Sequence, residues 1–421
     1  MVWKMELESG ACSPHNPAGF RKKASEAALS LNVRKDFLPF SAPSMEDDDI
    51  QGVVAVLKSG WITTGPKCAA FEQAFAAYVG APHACALTSA TAGMHCVLLA
   101  LGLKPGDEVI TSSMTWVSTV NMIEITGAKP VFVDIDPRTL MISAADVARA
   151  ITPRTKAIIP IHYAGAPVDL DPFRELAAKH KLHLIEDAAH SAGTEYKGKR
   201  IGSPGTSIFS FHPIKNMTTA EGGMVCTDDA ALFDRVKRLK FHGLAKDAWD
   251  RYSKKGAAAP MEVVEPGFKY NFTDLQASLG LTQLAKLDAF NARRADLAKL
   301  YDELFRDVPE LSTIKAPVWP HKHTRHLYIV FLDIDRLVMT RDEFLVALKE
   351  RNIGTGVHFK AAHLHAYYQQ TGRYPRGSLP QTEWTSDRLF SVPLFPKMTE
   401  GDVRDVVAAI KDVIATRRSK A

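Results

Sequence analysis

The run Ser207-Ile-Phe-Ser-Phe-His-Pro-Ile-Lys215-Asn216, followed by Ala220-Glu-Gly-Gly223, delivers a single lysine into a turn just past an apolar strand. A lysine held at a strand end is partly desolvated. Desolvation lowers its pKa and frees a neutral amine, a nucleophile toward a carbonyl. By itself a strand-end lysine is far more often a solvated surface residue. Its neighbours in the chain decide between the two.

The run Leu182-His-Leu-Ile-Glu-Asp187-Ala-Ala-His190-Ser191 is a second apolar strand, ending in a carboxylate and followed by small residues with room for a ring. A carboxylate beside a pyridine nitrogen keeps it protonated, the condition under which pyridoxal 5'-phosphate (PLP) acts as an electron sink. Asp187 is the candidate; a helix cap is the alternative. His190 either supports Asp187 or the cofactor by a hydrogen bond or is a core histidine. Thr88-Ser89-Ala90-Thr91-Ala92-Gly93 lies between a strand and a helix. Its small residues let a phosphate reach backbone N–H groups at the helix start. Thr91 and Ala92 are the candidates for backbone contact and Ser210 for a hydroxyl contact. Trp116, in Thr115-Trp116-Val117-Ser118, could stack on a cofactor ring.

These residues need strand ends to hold them. Candidate strands are Ala84–Thr88, Glu108–Thr111, Pro130–Asp134, Ala157–Ile161, Leu182–Glu186, Ser207–Phe211 and Met224–Thr227, with helical stretches between the first five. The alternation predicts an α/β fold with a mostly parallel sheet and helices on both faces. Such sheets bind ligands beyond the carboxyl ends of their strands. Ser44 with Asp47 resembles a capping box ahead of Ile50, Val53, Val54 and Leu57 at helical spacing, and Gly60 stops that helix. Ser143 with Asp146 caps another. Further on, Leu275–Leu287 and Arg293–Phe305 read as two helices. A strand at His326–Asp333 follows, then helices at Arg341–Arg351 and Glu400–Thr416. The expected division is a flexible extension over 1–36, a large α/β domain over 37–287 and a smaller α+β domain over 288–421. Residues 1–36 read as flexible chain, or as sequence upstream of the true start, with one short helix at Ala24–Leu31.

The 52 basic and 47 acidic residues leave a net charge of only +5, and no basic block favours nucleic acid. The cluster Arg417, Arg418 and Lys420 reads as a frayed tail. Cys12, Cys68, Cys85, Cys96 and Cys226 include no C-x-x-C pair, which fits free thiols in a reducing cytoplasm. The apolar stretch His95–Leu103 is too short and too interrupted to span a bilayer and reads as a buried helix. The N-terminus has no export pattern. No metal is expected: His358, His363 and His365 match no zinc spacing.

Together the four signals resemble the sugar aminotransferases of the DegT/DnrJ/EryC/StrS family, within the fold-type I PLP enzymes. The resembling stretches include SGWITTGPK (59–67), SATAGMH (89–95), TWVSTVNMI (115–123), TPRTKAIIPIHYAGAP (152–167), EDAAHS (186–191), FSFHPIKNMTTAEGG (209–223), KFHGL (240–244), PGFKYNFTD (266–274), RNIGTGVHFKAAH (351–363) and SVPLFPKMT (391–399). They are most similar to a subgroup that makes UDP-4-amino-4-deoxy-L-arabinose for lipid A. The resemblance implies a homodimer with two active sites at the subunit interface. It gives Schiff-base duty to Lys215, pyridine pairing to Asp187 and ring stacking to Trp116. Phosphate contact goes to Thr91, Ala92 and Ser210, and to Asn271 serving the partner subunit. Its substrates would be glutamate, released as 2-oxoglutarate, and a UDP-4-keto sugar. Trp61, His242, Lys269, His358 and His363 are the side chains expected near the nucleotide sugar. Many relatives carry Gln where this chain has His190, and Asn then Arg where it has Lys269 and Asn271; the arabinose subgroup shares this chain's choices. The rival within the family is a perosamine-type enzyme acting on a 4-keto-6-deoxyhexose. Sugar dehydratases of this scaffold replace the lysine with histidine, and Lys215 is present. A non-catalytic PLP-binding regulator would carry a DNA-binding module in front, and residues 1–36 show no helix-turn-helix pattern.

Overall fold

The computed structural model describes residues 34–245 and 262–417. The helix expected at Ala24–Leu31, Cys12, and the tail residues Arg418 and Lys420 lie outside them.

All seven expected strands form, each within about two residues of its expected bounds: β1 (His83–Leu87), β2 (Glu108–Ser112), β3 (Lys129–Val133), β4 (Thr155–Ile159), β5 (His183–Asp187), β8 (Thr206–Ser210) and β9 (Gly223–Thr227). Two short strands, β6 (Glu195–Tyr196) and β7 (Lys199–Arg200), intervene and belong to a small separate sheet with β11 (His321–Lys322). The main sheet has the order β1-β9-β8-β5-β4-β2-β3. Its ladders from β3 to β8 are parallel, and β9 runs antiparallel to both neighbours. Parallel strands need crossovers, and α3 (Ala90–Ala100), α4 (Val117–Ile125), α5 (Ala144–Ala150) and α6 (Leu170–His180) supply them. Ser89 and Ser143 cap α3 and α5 by accepting backbone N–H bonds. The sheet is buried on both faces. Phe71, Phe75, Phe209, Phe211 and Phe272 interlock on one side; Cys96, Val97, Leu98, Ile185 and Val225 pack on the other. Cys68, Cys85, Cys96 and Cys226 are buried free thiols.

Two element expectations are corrected. The first helix, α1 (Asp47–Ser59), is capped by Glu46, whose N–H donates to Asp49 Oδ2 at 2.9 Å, and not by Ser44. It does end at Gly60, in the left-handed conformation. The expected apolar positions are not the innermost ones: Ile50 is 54% and Leu57 56% exposed and Val53 and Val54 are half-buried, while Val56 and Asp49 are buried, Asp49 beneath Lys286. The two helices expected over 275–305 are one, Asp274–Leu304, opened by a Thr273–Gln276 capping box. This long helix runs through the expected boundary at 287/288. Its C-terminal half joins a second core, where Tyr301 packs with Phe344, Val406 and Ile410 around the sheet β10 (Leu311–Thr313), β12 (Tyr328–Leu332) and β13 (Leu389–Val392).

Candidate active site

The carboxyl ends of β5 and β8 open into a cavity of about 440 Å³. Ser89, Thr91, Trp116, Asp187, His190, Ser210, Lys215, Glu221, His358 and Phe359 are among its lining residues. The two key strands are neighbours: Asp187 pairs with Ile208, and the Ala188 N–H donates to the Ile208 carbonyl at 2.9 Å. Parallel pairing therefore brings Asp187 and the turn after Ser210 to the same side of the sheet.

Lys215 sits in a tight turn, its N–H donating to the His212 carbonyl at 2.8 Å. Burial pulls its ammonium down to about 8, against the opposing attraction of Asp187. About a tenth of the amine is thus neutral at pH 7, against well under a hundredth for an ordinary lysine. Asp187 is held on both oxygens: Oδ1 accepts the Ala189 N–H at 3.1 Å and Oδ2 the Thr119 hydroxyl at 2.7 Å.

His190 is buried between two rings. Phe359 stacks on it at 5.8 Å between centroids, and His326 lies tilted against it at 4.4 Å. Desolvation, reinforced by Lys215 and His358, holds His190 well below its ordinary range, so it is neutral. Its Nδ1 accepts the Ala164 N–H at 3.3 Å, which leaves the proton on Nε2 as a donor.

The start of α3 borders the cavity through Ser89, Ala90 and Thr91. Ala92 is not among the lining residues; it is buried, and its N–H donates to Ser89 Oγ at 3.0 Å. The expected backbone contact at Ala92 is therefore already engaged within the chain. Gly223 makes the turn possible, because a Cβ there would sit 2.3 Å from the Ala90 nitrogen. Ser210 lines the cavity, as does Trp116, which is 60% exposed with its ring 5.8 Å from Phe359.

The expected substrate residues divide. His358 lines the cavity; its Nδ1 lies 2.9 Å from Ser391 Oγ, and burial pulls it down to about 3. His363 does not: it is fully buried, with both ring nitrogens engaged by Ser113 and Glu383, and so cannot face a sugar. Trp61, His242, Lys269 and Asn271 also stand outside the cavity lining of this chain. Trp61 Nε1 donates to the Thr64 carbonyl at 3.0 Å and Asn271 Nδ2 to Thr64 Oγ1 at 2.8 Å. Lys269 Nζ lies 4.2 Å from the centre of the Phe241 ring, and His242 occupies a left-handed turn. Residues that sequence reasoning left without a role are Thr119, Phe359 and Glu221. Thr119 carried a legible signal, standing three residues after Trp116, a spacing that places two side chains on one side of a helix start.

A reactive aldehyde, a basic ring nitrogen and a phosphate find their complements here: a lysine shifted toward its neutral form, an anchored carboxylate and a hydroxyl-rich helix N-terminus. The residues present fit PLP. Among the described residues no group of His, Cys, Asp and Glu is arranged to hold a metal, and no helix is long and apolar enough to cross a membrane.

Residues 43–411 match the model of the DegT/DnrJ/EryC1/StrS aminotransferase family. Among solved structures, the chain is similar to a Streptococcus pneumoniae protein assigned as a sugar aminotransferase. The PLP form is 30% identical with a TM-score of 0.82, and the alignment covers 90% of this chain and 99% of that one. It is similar to DesV of S. venezuelae (31% identity, TM-score 0.79, 89% and 99% coverage). It is also similar to PseC of Helicobacter pylori, an aminotransferase involved in pseudoaminic acid biosynthesis (29%, 0.82, 91% and 100%). The fold is thus that of the fold-type I PLP aminotransferases, the cofactor is PLP, and the reaction is transfer of an amino group to a sugar. The chain belongs to the DegT/DnrJ/EryC1/StrS aminotransferase family.

Proposed function

We propose that this enzyme moves the amino group of glutamate to C4 of a UDP-4-keto-pentose, giving UDP-4-amino-4-deoxy-L-arabinose for lipid A modification. The observation that carries the transaminase chemistry is Lys215, pulled down to about 8, lining one cavity with Asp187 at the end of the adjacent strand. The choice of sugar rests on the stretches SGWITTGPK, KFHGL and GTGVHFKAAH and on His190, Lys269 and Asn271, where many relatives carry other residues.

Bound PLP supplies an electron sink for the charge left when a C–H bond ionises. The chain's own residues do the rest. Lys215 Nζ anchors the cofactor in the resting enzyme. Its free amine would act as general base on the α proton of glutamate and, in the second half-reaction, as general acid toward C4 of the sugar. Asp187 keeps the ring nitrogen protonated, with Thr119 and the Ala189 N–H fixing its two oxygens. His190 Nε2 offers a neutral donor to the cofactor ring. Trp116 would stack on the cofactor ring, and Thr91 and Ser210 would hold its phosphate. His358 borders the sugar.

The working form in this reading is a cytoplasmic homodimer with shared sites. Ile50 and Leu57, exposed seven residues apart on α1, and Asn271, outside its own chain's cavity, support that assembly. We assign residues 37–287 to the cofactor domain and 288–421 to the smaller one.

The test is kcat/KM across a panel of UDP- and dTDP-4-keto sugars with glutamate as donor. A pentose lacks the exocyclic carbon at C5, and a wall fitted to it rejects a methyl group at a cost of about 1–3 kcal/mol. The expected preference for the UDP-4-keto-pentose is roughly ten- to two-hundred-fold. Preference for a 4-keto-6-deoxyhexose overturns the arabinose assignment and leaves the sugar aminotransferase intact.

A further inference from the structure

Ser113, His363 and Glu383 come together from distant parts of the chain in a serine–histidine–carboxylate order. Ser113 Oγ lies 2.7 Å from His363 Nδ1, and His363 Nε2 lies 3.2 Å from Glu383 Oε1. The order is that of a hydrolytic triad, but the surroundings exclude that chemistry. Ser113 and His363 are fully buried, none of the three lines the cofactor cavity, and Ser113 Oγ also accepts the His363 backbone N–H at 3.1 Å.

The proton positions follow from the partners. Glu383 accepts the Gly377 N–H at 2.8 Å and the Leu379 N–H at 3.2 Å; although burial opposes it, these bonds and His363 hold its carboxyl below the usual range. An ionised Glu383 needs a donor, so His363 Nε2 carries the proton. Nδ1 then accepts from the Ser113 hydroxyl. One histidine thus links a carboxylate to a serine with every polar atom of the link paired. A paired, desolvated network of this kind is costly to distort.

The network matters through what it joins. Ser113 begins the segment that ends at Trp116, and the intervening Met114 and Thr115 are buried. Met114 is fixed further by its N–H donating to Ser112 Oγ at 2.9 Å. His363 ends the segment that carries His358 and Phe359. The two segments touch twice: at the Ser113–His363 bond, with the Ala362 N–H donating to the Ser113 carbonyl at 2.8 Å, and at Trp116 against Phe359. Trp116 has little burial of its own to hold it.

We propose that His363, through Ser113, is a positioning residue that fixes Trp116 over the cofactor cavity, with Glu383 setting the histidine's tautomer. The proposal rests on the reading of Trp116 as the ring-stacking residue.

The test is a double-mutant cycle read as the PLP dissociation constant of the apoenzyme, followed by fluorescence titration. Trp116→Ala alone reports on the stacking reading. Ser113→Ala is expected to weaken PLP binding about tenfold in the wild-type background and to change it less than twofold in the Trp116→Ala background, since coupled neighbours are non-additive. Thermal midpoints of the apo forms show whether each variant folds. Should Ser113→Ala fail to fold, His363→Asn replaces it. Its amide keeps an acceptor for the Ser113 hydroxyl and should bind PLP near wild type, while His363→Leu should lose about tenfold. Equal losses from Ser113→Ala in both backgrounds, no loss in either, or no difference between the Asn and Leu variants overturns the proposal.

Discussion

Thr119 Oγ1 donates to Asp187 Oδ2 across 2.7 Å, and with the Ala189 N–H on Oδ1 it fixes the plane of the carboxylate at the end of β5. A carboxylate so held has only one direction in which to present its remaining lone pairs. The geometry of the proposed pyridine contact therefore depends on a hydroxyl one helical turn beyond Trp116. A hydrogen bond to a charged group contributes about 1.5–3 kcal/mol. Thr119→Val should lower kcat/KM by roughly ten- to a hundredfold, while Thr119→Ser, which keeps the hydroxyl, stays within a few-fold of wild type. Asp187→Asn should fold normally yet lose most turnover, because an amide cannot hold a ring nitrogen protonated. Steady-state kinetics beside thermal midpoints decide both; a Thr119→Val enzyme at full rate would mean Asp187 needs no such anchor.

Lys215 gives a pH signature in the apoenzyme. Its folded pKa is about 8 against an ordinary value of 10.5, so the cost of burying the charged amine is fully present below about pH 8. Between those two values the unfolded chain binds more protons than the folded one, and stability rises with pH. Lys215→Met removes the titration. In urea melts of the stripped proteins at pH 7 and pH 10, wild type should gain stability relative to Lys215→Met on going to pH 10. A constant difference would place the amine in water rather than in the cavity wall.

Much of this arrangement was legible because the sheet is buried on both faces. Its strands are short apolar runs ended by Asp187 or Ser210, and nothing but strand ends could bring those residues together. The long helix was not, and the reason is physical. Around the expected break its buried side is interrupted by polar residues: beside the buried Leu287 and Phe290, Gln283 donates to the Ser44 carbonyl, Asn291 to the Ala192 carbonyl and Arg294 to the Leu394 carbonyl. Hydrophobic periodicity cannot follow a helix face that is satisfied by hydrogen bonds. The same holds in part for α1, where one of the two buried residues, beside Val56, is Asp49, bonded to Thr282, Gln283 and Lys286. His363 was misplaced for a different reason. A histidine in a loop-like motif looks like a site residue, and only the chain's path shows that Ser113 and Glu383 close around it.

KFHGL illustrates how a matching stretch can serve the scaffold rather than the chemistry. Lys240 is buried, and its Nζ donates to Glu72 Oε1 at 3.1 Å and to the Ala86 carbonyl at 3.0 Å. Glu72 Oε1 also accepts the Ala86 N–H at 2.8 Å, so the pair satisfies both backbone groups of an edge-strand residue just ahead of the Thr88–Thr91 turn. Breaking a buried pair from one side costs about 3–5 kcal/mol. Glu72→Ala should fall near the lower figure, because the Glu72 side chain keeps some contact with solvent. Chemical denaturation measures it; a loss under about 1 kcal/mol would class the pair with ordinary surface bridges.

Asn271 offers the sharpest test of the shared site. Its amide donates to Thr64 Oγ1 and it pairs across a bridge with Leu87, yet it does not line its own chain's cavity. If it serves the partner's phosphate, each active site takes Lys215 from one subunit and Asn271 from the other. Lys215→Ala and Asn271→Ala homodimers should then both be impaired, the first completely. A mixed dimer has one site with both lesions and one with neither. Mixing equal amounts under conditions of verified subunit exchange gives mixed dimers as half of all dimers. Each carries one intact site, so activity should recover to about a quarter of wild type, the statistical limit for independent sites. No recovery, with exchange confirmed by tagged subunits and with Asn271→Ala itself impaired, would put Asn271 in the same site as its own Lys215 and remove the cross-subunit assignment.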